Sequence, residues 1–148
     1  MRDSTISARD IGWAILRVAV GAMFITHGYG KIFGETADGT SRMVTFASSV
    51  ASMGFPSPEL FAWVAALSEL IGGSLIVIGL FTRFASLFAA STMLVAAYSH
   101  LDEGYKGMEL PMLFGVVFVV LLVAGSGRFS FDAVRQAKKE KAALSIFR

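Results

Sequence analysis

Four apolar runs divide the chain, at about residues Ile11 to Tyr29, Leu60 to Leu80, Phe84 to His100 and Leu110 to Ala124. A helix crossing a bilayer needs about 20 predominantly apolar residues at about 1.5 Å per residue. The first two runs reach that length, and the last two reach it with flanking residues. Thr82-Arg83 is too short a connection for anything but an antiparallel hairpin, and Leu101 to Glu109 makes a second tight turn. Lys31 to Glu59 is the one long loop. Within it, Arg42 to Met53 reads as a short amphipathic helix stopped by Gly54 and the pair Pro56 and Pro58. The pattern predicts an all-α, integral membrane four-helix bundle with antiparallel spans over residues 1–132, followed by a basic tail over 133–148.

Composition supports lipid rather than water as the solvent. Hydrophobic residues make up 55% of the chain and mean hydropathy is +0.65, more than a soluble fold of this size hides. The net charge of +2 does not point to nucleic acid, because the basic residues gather at the chain ends instead of interleaving with aromatics. The termini and the Arg83 turn carry nine Lys and Arg, against three (Lys31, Arg42, Lys106) on the other side. The positive-inside rule then places both termini in the cytoplasm. Trp13 near one boundary, and Tyr29, Trp63, Tyr98 and Tyr105 near the other, fit interfacial aromatic belts. The first run lacks a small-residue cleavage site and is expected to be a retained helix. The tail is expected to contact anionic lipid. With no cysteine, a disulfide or thiol relay on this polypeptide is excluded.

Ionisable side chains inside a span are costly and normally face a partner or a wet cavity. Arg17, His27, Lys31, Glu69, His100 and Glu109 are the candidates for ligand binding or proton handling. Glu69 is the sharpest, about nine residues from the outer end of its helix and followed by Gly72 and Gly73, which admit a close neighbour. Arg17 is its expected partner, with snorkelling to the inner surface as the alternative. At about 100° per residue, Arg17, His27 and Lys31 share an arc of roughly 80° on the first helix. His100 and Glu109 are expected to join His27 in a polar pocket at the outer helix ends. Gly125-Ser-Gly-Arg-Phe-Ser-Phe-Asp132 closes the fourth span, presenting Arg128 and Asp132, as an ion pair, beside Arg83 at the inner face.

No metal site is expected, since two His and two carboxylates lack a local ligand pair. A bis-His haem between His27 and His100 is disfavoured. A faint internal echo relates Glu69-Leu70, Gly79 and Arg83 to Glu109-Leu110, Gly125 and Arg128, as two hairpins about a pseudo-twofold axis would. The alanines of the third span, such as Ala85, Ala89 and Ala96, would let a second copy of the chain pack closely.

Arg17 with Gly21, then His27-Gly-Tyr-Gly-Lys31, Glu69-x-x-Gly-Gly with Gly79-Leu80 and Thr82-Arg83, and finally Gly125-Ser-Gly-Arg-Phe-Ser-Phe-Asp132 together resemble the DoxX family of bacterial membrane proteins. The resemblance implies a multi-pass inner (plasma) membrane protein, related to the small subunit of thiosulfate:quinone oxidoreductase and to relatives that assemble with soluble redox partner proteins. It implies a quinone partner more than a catalytic role for this chain. The expected function is therefore a quinone-binding or membrane-anchoring subunit of a redox complex, not catalytic alone, with electrons delivered by a partner. The alternative is a non-redox scaffold, lipid or small-molecule binder, or transporter.

Overall fold

The computed structural model describes residues 5–146. Among them the regular structure is helical: six α-helices and one 3-10 turn, with a single isolated bridge between Glu35 and Ser41. Helix α1 spans Ala8–Phe33, α2 Arg42–Ser52, α3 Pro58–Ile78, α4 Thr82–Ser99, α5 Tyr105–Ala124 and α6 Phe131–Ile146. The spans inferred from hydropathy fall inside α1, α3, α4 and α5 to within a few residues at most ends. The amphipathic segment in the long loop is α2. Lys31 belongs to α1 rather than to the loop, because α1 continues a further turn to Phe33.

Local chemistry accounts for the ends. Ser7 and Asp10 form a reciprocal capping box at the start of α1, with Asp10 N–H donating to Ser7 Oγ and Ser7 N–H to Asp10 Oδ2. Pro58 opens α3, where the missing N–H costs nothing. Gly79, at φ 71°, ends it. There Gly79 N–H donates to the Ile76 carbonyl and Leu80 N–H to that of Leu75, the paired bonds of a Schellman turn.

Three helices, α1, α3 and α5, are long and apolar enough to cross a membrane. Helix α4, whose 18 residues include Thr82, Arg83, Ser86, Ser91, Thr92 and Ser99, falls short of that mark. Packing is most extensive between α1 and α3 and between α4 and α5, and α3 against α4 joins the two pairs. Phe24, Ile76, Ala89, Phe114, Phe118 and Leu121 are among the residues of the main core, with the Phe24 and Phe118 rings 4.6 Å apart. A smaller cluster of Met43, Val50, Ala62 and Ala66 seats α2. Large apolar side chains point outward from every long helix, with Ile15 63%, Leu94 74% and Val123 72% exposed. Such a surface is stable against lipid tails and not against water.

The α1–α3 contact is nearly backbone on backbone. A Cβ on Gly28 would lie 2.5 Å from the Leu70 nitrogen and 2.8 Å from the Ala66 carbonyl oxygen. One on Gly73 would lie 2.9 Å from the Gly21 carbonyl oxygen. Neither neighbour is a flexible side chain that could move aside. Gly28→Ala is therefore expected to lower the thermal midpoint of the detergent-solubilised protein by an overpacking cost of about 1–3 kcal/mol. Gly12→Ala, where nothing lies within 4 Å, should leave it unchanged or raise it slightly. Thermal unfolding followed by circular dichroism compares the two.

Candidate functional site

The close crossing of α1 and α3 decides which polar side chains meet. Glu69, on the face of α3 turned to α1, has no exposed surface. Its Oε1 accepts a hydrogen bond from Lys31 Nζ at 2.5 Å, forming an ion pair. The partner is thus Lys31 and not Arg17. Gly21 faces Gly73 and Gly28 faces Ala66 and Leu70, and in that antiparallel register Glu69 lies opposite the His27–Lys31 turn. Arg17 is opposite the far end of α3.

Three elements build the Glu69 site. Helix α1 supplies Lys31, and α3 supplies the carboxylate. From α2, the Phe46 ring lies under the Lys31 ammonium, 4.3 Å from centroid to Nζ. His27, one turn before Lys31, stands edge-on to Phe114, with 6.1 Å between ring centroids. The second carboxylate oxygen, Oε2, is buried and has no hydrogen-bond partner among the described residues. Ser68, the residue before Glu69, shares a hydrogen bond of 2.8 Å with Thr92 that ties α3 to α4. A groove of about 530 Å³ is bounded by α2, the end of α1 and the start of α3, with Ile32, Met43, Val44, Ala47 and Trp63 among its lining residues; Lys31, Phe46 and Glu69 do not line it.

Arg17 is 3% exposed and, among the described residues, forms an ion pair with no carboxylate. Its Nη1 donates to the Ile76 and Val77 carbonyls at 2.5 Å each, and its Nη2 to the Phe129 carbonyl at 2.6 Å. The guanidinium therefore caps the negative end of α3 and ties it to the segment after α5. Gly79 is required here, since a Cβ would meet both Arg17 Nη1 and Ser130. The alternative for Arg17, snorkelling to the surface, does not occur either. The charge is held inward by carbonyls.

The outer polar pocket is also corrected. His100 ends α4 and its Nδ1 pairs with Glu103 Oε1 at 2.8 Å. Glu109 is exposed on α5, and neither contacts the Lys31–Glu69 pair among the described residues. Since Glu109 is exposed where Glu69 is fully buried, the two halves of the internal echo are not chemically equivalent. At the end of the molecule where α1 and α6 begin, Arg128 and Asp132 do not pair with each other. Arg128 donates to the Thr5 carbonyl and lies 3.9 Å from Asp10. Asp132 accepts from the Phe81 and Thr82 N–H groups, 3.0 Å each, and so caps α4 from outside its own helix. Arg83 donates to the Val123 carbonyl.

Replacing Arg17 by Lys keeps the charge but loses the fork that reaches three carbonyls. The expected result is a loss of about 2–4 kcal/mol of stability, read as a lower thermal midpoint, with Arg17→Gln at least as damaging.

The sequence pattern of the DoxX family matches residues 12–101. "Inner membrane protein YphA" of Escherichia coli is 38% identical over 85% of this chain and 91% of its own length. "Inner membrane protein YqjF" of the same organism is 29% identical over 87% of this chain and 95% of its own. "Putative oxidoreductase CatD" of Bacillus subtilis is 38% identical over 83% of this chain and 86% of its own. No solved structure matches the chain.

Proposed function

The chain belongs to the DoxX family, and from that premise we propose that it is a bacterial inner-membrane protein that binds a quinone-class head group at the Lys31–Glu69 pair. In this reading α1, α3, α4 and α5 form an antiparallel four-helix membrane bundle with both termini in the cytoplasm. At about 1.5 Å per residue the 18 residues of α4 reach about 27 Å, close to the thickness of the hydrocarbon core. Its Leu87, Phe88 and Leu94 face outward as lipid contacts.

The observation that carries the reading is Glu69 Oε2, fully buried and without a partner. Leaving such an atom unsatisfied costs about 1–3 kcal/mol. A proton on Oε2 removes that cost and turns the carboxyl into a donor for an acceptor on a bound molecule. The residues around it fit a quinone: Lys31 and His27 are donors suited to a ring carbonyl, while Phe46 and Phe114 offer apolar faces. The groove beside α2 offers apolar lining to an isoprenoid tail.

A quinone, when bound, supplies the capacity to accept two electrons and two protons. The residues of this chain orient the head group and hold protons. Glu69, screened from water, keeps a proton or gives it up according to whether Lys31 stays against it. His27, at the exposed side, offers a further ring nitrogen to the head group. The word oxidoreductase in the name of the Bacillus subtilis relative supports a redox setting, and in this reading the electrons come from a partner protein. Helix α6, exposed along most of its length, favours a second reading in which the chain recruits soluble partners as a scaffold.

Binding of a short-chain quinone to the purified protein, followed by tryptophan fluorescence, tests the proposal. Wild type should bind, and Glu69→Gln and Lys31→Met should each weaken binding about tenfold or more while the helical dichroism is unchanged. Truncation after Ala137 should leave binding intact. Absence of quinone binding, or equal affinity in all variants, would overturn the reading, and function lost only on truncation would favour the scaffold.

A further inference from the structure

A groove of about 1000 Å³ opens at the opposite end of the molecule from the Lys31–Glu69 pair. The N-termini of α1, α4 and α6 and the C-termini of α3 and α5 all meet at this end. Its ionic lining consists of Arg83, Arg128, Arg135 and Lys139 with Asp10 and Asp132. Both carboxylates are already engaged. Asp132 accepts two N–H groups at the start of α4, and Asp10 closes the cap of α1. Arg83 and Arg128 each give one nitrogen to a backbone carbonyl. Arg135 and Lys139 differ, for no carboxylate lies within ion-pair distance of either among the described residues. They are one turn apart on α6 and therefore on one face. The Arg135 guanidinium is positioned over the Phe81 ring, 4.8 Å from its centroid.

The cations of the groove are bordered by apolar surface. Phe81, which lines the groove, is exposed, as are Phe129 and Phe131 in the segment that carries Arg128 and Asp132. Val123, whose carbonyl receives Arg83, is 72% exposed at the end of a helix apolar enough to span a membrane. Trp13 anchors the same level through its indole N–H to the Gly125 carbonyl, 3.1 Å away. A site for a soluble anion needs cations but has no use for an exposed aromatic rim. A lipid phosphate sits where charged and apolar surfaces adjoin, and cationic pockets at the cytoplasmic helix ends are suited to it.

We propose that this groove seats the phosphate of an anionic glycerophospholipid, with Arg135 and Lys139 as its main ligands, Arg83 behind them and the acyl chains running down the Phe81 and Val123 flank. The tail then does more than set topology: docked on a lipid, α6 is drawn against the membrane surface. The proposal is independent of what occupies the Glu69 site.

The test uses the full chain in zwitterionic phosphatidylcholine micelles, with phosphatidylglycerol titrated in and bound lipid counted by native mass spectrometry. The expected result is retention of phosphatidylglycerol in preference to phosphatidylcholine, weakened about tenfold or more in the double variant Arg135→Gln/Lys139→Gln. Lys138→Gln/Lys141→Gln removes the same charge from residues outside the groove lining and should weaken retention much less. Melting in pure phosphatidylcholine checks that both variants fold. Equal loss in the two double variants would overturn the proposal in favour of diffuse attraction to a basic tail. Equal retention of both lipids would also overturn it, as would displacement of the lipid by inorganic phosphate at similar concentration.

Discussion

The close approach of α1 and α3 is the constraint on which the rest depends. Gly21 meets Gly73 and Gly28 meets Ala66 and Leu70, so two backbones come within a distance that any larger residue would forbid. In lipid there is no hydrophobic force between helices, and such contacts provide the dispersion that holds them. The contact also fixes register. Once Gly28 lies against Leu70, Lys31 reaches Glu69 and Arg17 reaches the last turn of α3. The two buried ions of the protein are thus placed by glycine.

Arg17, which is buried, and Lys31, which is part-buried, hold their charges in different ways. Arg17 spends its fork on backbone carbonyls, joining the end of α3 to the segment after α5 and leaving no carboxylate dependent on it. Lys31 makes one ion pair and one ring contact, and its side chain remains 28% exposed. An Arg held by fixed carbonyls is a structural clamp. A Lys at the edge of a buried carboxylate, with an unpaired oxygen behind it, is an arrangement in which a proton or ligand has something to change.

Much of the fold could be read from the chain because lipid imposes length and polarity on every span. The apolar runs lie within the long helices, and Gly54, Pro56 and Pro58 stop α2 where turn chemistry places the stop. Glu69 could be singled out because a carboxylate amid apolar residues has few reasons to be there. Depth along separate helices points to Arg17 as its partner, but depth does not give the relative register of two helices. The signal was nonetheless present, in the seven-residue spacing of Gly21 and Gly28 matched to that of Ala66 and Gly73. His100 and Glu109 were grouped with it on depth alone. Local bonding to Glu103, and the outward face of α5, take them elsewhere. The capping of α4 by Asp132, across an interval of 50 residues, left no local pattern to read.

A double-mutant cycle tests the central claim that the glycine contact pairs Glu69 with Lys31. Thermal stability of the purified protein would be measured for Glu69→Gln, Lys31→Met, Arg17→Gln and the two double variants that contain Glu69→Gln. Direct contact predicts a coupling of about 1–3 kcal/mol between Glu69 and Lys31, while Glu69 and Arg17, about 10 Å apart along α3 by helical rise, should be additive within about 0.5 kcal/mol. Strong coupling of Glu69 to Arg17, with Lys31 additive, would contradict the register and the site built on it.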